Sequence, residues 1–147
     1  MSYTPDVPGR NESLWIATAA AAQGPWGVAL AGGAVVGGAQ LALHLLGGHL
    51  TLAGPLASGL MAFFLIGSIG ALLLKGRDRT RAWAHQHPWR FAVVPAIGAG
   101  ATVLPVKLLL SMAGVFGATF AALSTAASVF VIVGLVGMVV GAVRRSA

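Results

Sequence analysis

The chain contains no cysteine, which excludes disulfides, thiol nucleophiles, iron–sulfur clusters and cysteine-ligated zinc. Acidic side chains are nearly absent as well. Asp6, Glu12 and Asp78 are the full set of three, and none lies in an apolar run. Proton- and sodium-coupled carriers generally hold the coupling ion on an intramembrane carboxylate. The small multidrug transporters have this size but depend on such a Glu, so that class is disfavoured. The asparagine and paired-phenylalanine pattern of small fluoride channels is also missing, and Phe63-Phe64 alone does not supply it. Membrane proteases and transferases need catalytic dyads or acidic metal clusters. Ser58, Ser68, Ser111, Ser124 and Ser128 have no partnered base. The expectation is a protein that is not an enzyme and carries no cofactor.

Charge of either sign is scarce. Only 8% of the 147 residues are charged and 57% are hydrophobic, against about 25% charged in soluble domains. Mean hydropathy is +0.87. What is abundant is long apolar sequence. Four runs reach the roughly 20 residues that a helix needs to cross a bilayer: 26–46, 52–74, 91–114 and about 118–143. Backbone polar groups in lipid must be satisfied within the segment, and no strand-like alternation is present, so the spans are helices. The expected fold is an all-α, integral membrane bundle of four transmembrane helices in one domain. Ahead of it come a polar arm, residues 1–12, and a short helix from Leu14 to Gln23 with Ser13 as its cap. That helix either lies in the interface or extends the first span.

The net charge of +6 sorts by position. Lys75, Arg77, Arg79, Arg81 and Arg90 fall in the hydrophilic segment 75–90, and Arg144 and Arg145 stop the last span. The connections near 47–51 and 114–117 carry no Lys or Arg. The positive-inside rule then places both termini and the 75–90 loop in the cytoplasm of a cell (inner) membrane. Trp26, Trp83 and Trp89 gather at that same face, where indole rings favour the headgroup layer. The basic loop also has the chemistry to meet anionic lipid, nucleic acid or an acidic protein, with topology and lipid contact as the plainer role. Asp78 reads as a loop ion pair. Asn11-Glu12-Ser13 matches a glycosylation sequon but falls in the arm placed in the cytoplasm. Short outer connections imply two hairpins. Each has a proline in one span and a Gly-rich partner, but no residue pattern aligns between them, so no repeat is assigned.

Glycines at Gly33 and Gly37, and at Gly137 and Gly141, make two GxxxG pairs. Residues four apart share a helix face and let backbones approach closely. They serve packing inside the bundle or a self-association surface.

Lys107, in VLPVKLLLSM, is the cation inside an apolar run. Such a charge costs roughly 2.5–3.5 kcal/mol at the bilayer centre on insertion scales. Counting helix rise places it in the outer half, within reach of snorkelling to the headgroups. Pro105 also frees a carbonyl near Ala101. Gln40, His44 and His49 belong to the same outer layer, which makes a polar cluster with Lys107 a candidate pore or ligand site. Two histidines without a carboxylate nearby are a poor metal site, and His85-Gln86-His87 is no better.

The functional expectation is an oligomeric passive pore, or a translocation-channel component, with a cationic outer-half site. The alternative is a structural or assembly subunit of a larger membrane complex. A third reading is an accessory of DNA transfer or secretion that uses the basic loop. Expected partners are membrane lipid and further membrane subunits, including copies of itself.

Overall fold

The computed structural model describes residues 10–73 and 79–146. Lys75, Arg77 and Asp78, and most of the N-terminal arm, lie outside them, as do the side chains of Arg79, Arg81 and Arg145. Among the described residues six helices follow in order: α1 (Arg10–Ala22), α2 (Trp26–Leu46), α3 (Ala53–Leu73), α4 (Arg79–Gln86), α5 (Pro88–Leu110) and α6 (Gly114–Ser146). Among the described residues there is no strand. α2, α3, α5 and α6 are long and apolar enough to cross a membrane. The chain is an all-helical, multi-pass membrane protein of four such helices.

Glycine and proline set the boundaries. Pro25 ends α1, because a proline disfavours helical geometry in the residue before it. α2 stops at Gly47, whose N–H donates to Leu43 O at 3.0 Å, and Gly48 follows at φ +75°. That left-handed conformation suits glycine. Pro88 opens α5 in the first helical turn, where the missing N–H costs nothing. Pro95 and Pro105 lie inside α5, and the helix continues through both.

Several expected boundaries shift. α1 begins by Arg10, so Ser13 sits within the helix and is not its cap. α1 does not extend the first span. It packs on α3, α4 and α5 through buried Ala17, Ala20 and Ala21. Half of the 75–90 segment forms α4, with Ala84 buried. α5 already begins at Pro88 and stops at Leu110, because Ser111 turns extended at ψ 146°. α6 begins at Gly114 and runs through Arg144.

The helices are arranged unevenly. Along its length α2 packs on α3 alone, with only Trp26 at its start reaching α1, whereas α5 touches α1, α3, α4 and α6. The core therefore lies among α1, α3, α4, α5 and α6, around fully buried Phe91, Leu72, Val129 and Val133. α1, α4 and the end of α6 close one end of the bundle. The two interhelical turns form the other, here called the hairpin end.

Candidate functional site

Two tryptophans lock the closed end. The Trp26 indole N–H donates to Ala21 O at 3.1 Å and to Ala22 O at 3.2 Å. It thereby satisfies carbonyls at the end of α1 that have no helical partner. The ring lies over Gly67 of α3, and Pro25 lies over Gly70. Phe63 packs against the same ring at 5.1 Å between centroids. The second half of the chain repeats the ring-over-glycine part of this joint. The Trp89 ring lies over Gly134 of α6, Pro88 over Gly137, and Phe130 meets Trp89 at 5.2 Å.

The correspondence extends along both hairpins. Gly37 faces Pro55 O at 3.0 Å and the Gly59 Cα at 3.4 Å, measured from the place of an added Cβ. Gly100 faces Ala122 O at 3.3 Å and the Ala126 Cβ at 3.1 Å in the same way. Ser58 donates to Gly54 O, and Thr125 to Ala121 O. Helices α2 and α5 thus correspond at an offset of 63 residues (Trp26 to Trp89, Gly37 to Gly100), and α3 and α6 at 67 (Phe63 to Phe130, Gly67 to Gly134). The units α1–α2–α3 and α4–α5–α6 are two versions of one motif, running in the same direction. This corrects the absence of a repeat in the sequence reading. The signal was present as two Pro-Trp pairs and two F-x-x-x-G-x-x-G strings, FFLIGSIG and FVIVGLVG. The offset changes by four residues inside each unit, so an alignment at one fixed offset loses register halfway.

The GxxxG glycines have partners within the chain. A Cβ added at Gly33 would stand 2.7 Å from Gly59 O and 3.1 Å from Phe63 Cβ, next to the Gly37 crossing. A Cβ added at Gly137 would stand 2.7 Å from Pro88 Cβ and 3.7 Å from Leu72 Cδ1, and Gly141 is buried.

The four polar candidates separate into three places. Gln40 Oε1 accepts from Ser58 at 2.6 Å across the α2–α3 seam. His44 Nδ1 meets Thr51 Oγ1 at 2.9 Å, and its Cε1 packs over Gly54. His49 is exposed in the turn. Lys107 is half-buried on α5, one turn before the Ser111 cap, and Ser111 Oγ donates to its carbonyl at 2.6 Å. A cation there sits against the negative end of the helix dipole. Because α2 and α5 do not pack together, no contact joins Lys107 to Gln40 or His44. The repeat nevertheless equates them. Lys107 occupies in the second hairpin the place of His44 in the first.

At the closed end, Arg144 Nη1 donates to His85 Nε2 at 2.7 Å, and its other amino group reaches Leu73 O at 3.4 Å. This ties α6 to α4 and to the end of α3. Burial, and secondarily the Arg144 charge, hold the His85 imidazole below its ordinary pKa of 6.5. His85 Nδ1 is buried without a hydrogen bond. Arg90 is exposed near the start of α5.

The interior holds no polar path among the described residues. Ser68 is its buried polar side chain, and it bonds to Phe64 O of its own helix at 2.5 Å. A concavity of about 650 Å³ is an apolar groove on the α2–α3 face lined by Gly33, Gly37, Gly38, Pro55 and Gly59 among others. Alanine occupies the places of Gly33, Gly38 and Gly59 in the second hairpin, at Ala96, Ala101 and Ala126. No family model, curated protein or solved structure matches the chain.

Proposed function

We propose that the protein is a non-enzymatic structural subunit of a membrane assembly, resident in the cell membrane with both termini in the cytoplasm. One observation carries the reading. α2 is a complete membrane-spanning helix that, beyond the Trp26 bond to α1 at its start, packs on α3 alone. With no hydrophobic drive between helices in lipid, specific packing is what holds a helix in place. An isolated hairpin arm is consistent with a helix awaiting a further partner.

A passive pore is the second reading, favoured by Lys107. Its ammonium has no hydrogen-bonded or ion-paired partner among the described residues, and the corresponding His44 places a second basic group at the same depth. The described interior buries apolar side chains and Ser68, so any such path would run between copies. A cation beside it would favour anions.

Purification in mild detergent, followed by mass measurement and liposome flux, separates the two. A defined complex that is silent in liposomes supports the subunit. An anion-favouring leak that changes selectivity in Lys107→Gln supports the pore. A monodisperse monomer, silent in liposomes and bringing down no partner from the membrane, sinks both.

A further inference from the structure

Apolar exposure alone says little in a membrane protein, since lipid covers it. The internal repeat says more, because it shows what covers each of its surfaces once. The first unit packs its α1 and α3 onto α5 of the second. In that joint Phe64 of α3 lies over Gly98 of α5, 2.7 Å from the place of an added Cβ. Phe91 and Ala99 of α5 are buried, as are Ser68, Ala71 and Leu72 of α3.

The counterpart joint would set α4 and α6 onto α2, and it is not made within the chain. Its surfaces on α2 and α6 are free. Val28, Val35 and Val36 of α2 stand at the places of Phe91, Gly98 and Ala99, and all three are exposed. Leu135, Met138 and Val139 of α6 stand at the places of Ser68, Ala71 and Leu72. Leu72 is 1% exposed and Val139 is 63% exposed. The key contact is also matched in bulk. Phe64 over Gly98 becomes Val131 against Val35, so volume lost on one side returns on the other. Val131 is 46% and Val35 70% exposed. Conserved total volume is what a packed contact requires.

We propose that the neighbour is a second copy of this chain, docked head to tail, with α2 of one copy lying on the α4–α6 face of the next as α5 lies on α1–α3 within each chain. The inference rests on the assembly reading and names its partner. The contact is heterologous, so it closes into a ring or runs on as a row.

The lack of native cysteine makes a clean test available. Val35→Cys and Val131→Cys are prepared with different tags, co-reconstituted in liposomes and treated with a short bifunctional thiol reagent. Head-to-tail docking gives a doubly tagged product of twice the 14.8 kDa chain mass, and neither variant alone gives a dimer. A Val35 to Val35 product overturns the proposal in favour of a symmetric α2–α2 contact. No product, with a partner of another kind recovered from the membrane, overturns it while leaving the assembly reading intact. No product from a monodisperse monomer overturns both. In the otherwise native chain, Val35→Trp adds bulk on the exposed face and should reduce the oligomer to monomer without lowering helix content. An oligomer of unchanged mass in that variant overturns the proposal independently.

Discussion

The Trp26 ring of α2 occupies the space that a side chain at Gly67 of α3 would need. The indole cannot swing aside cheaply, because its N–H is bonded to the last turn of α1. One residue therefore joins three helices, and Trp89 over Gly134 repeats the ring-over-glycine half of that joint.

Gly67→Ala should destabilise the fold by about 1–3 kcal/mol, the usual cost of overpacking, and Gly134→Ala should do the same. Gly27→Ala is the control. Nothing lies within 4 Å of an added Cβ there, and the better helix propensity of alanine should leave stability equal or higher. Thermal unfolding in detergent measures all three. Equal melting temperatures for Gly67→Ala and Gly27→Ala would remove the joint from the account.

The hairpin crossings should respond unequally. Gly59→Leu places a side chain 2.9 Å from Gly33 O and 3.4 Å from the Gly37 Cα, and should splay α2 from α3. Ala126 already carries a Cβ at the matching place, so Ala126→Gly should cost only the roughly 1 kcal/mol of helix propensity. Cysteine pairs across each hairpin, compared by cross-linking yield, report the difference.

Acid should loosen the closed end. His85 accepts from Arg144 as a neutral imidazole, and its pKa in the fold is lowered, first by burial and then by Arg144. The unfolded chain therefore takes up a proton at higher pH than the folded one. The stabilisation is complete above the ordinary value of 6.5 and is lost as pH falls through the lowered value. Amide exchange in α4 should rise on acidification. His85→Gln should flatten that dependence, and an unchanged pH profile in this variant would assign the effect elsewhere.

Lys107→Ala should shift stability by no more than about 1 kcal/mol, the scale of a cation at a helix C-terminus. A loss of several kcal/mol in denaturant unfolding would mean that the ammonium is held by a group of its own.

Cysteines placed at Gly48 and at Arg79 should label from opposite sides of the membrane, the latter from the cytoplasm. Labelling from one side would refute the four-span path.

Much of the architecture could be read directly. The four spans, the Gly47-Gly48 turn and the hairpin pairing follow from run length, glycine and charge placement. α4 was hidden because RTRAWAHQ is polar on average, and its helix is supported from outside by burial of Ala84. The candidate polar layer was legible as a depth but not as a site. Gln40 and His44 turn into the α2–α3 seam, and Lys107 sits on a helix that α2 never reaches.

By itself, the sequence determined that helices cross a membrane and how many do so. In lipid every backbone group must be satisfied within its own segment, so those properties are local. Tertiary structure decided which void each glycine leaves and what fills it. Gly67 waits for Trp26, and Gly134 for Trp89, across some forty residues of chain that no local rule connects. Those distant matches make two unlike stretches into one repeated unit, and they leave α2 as the arm whose counterpart joint stays open.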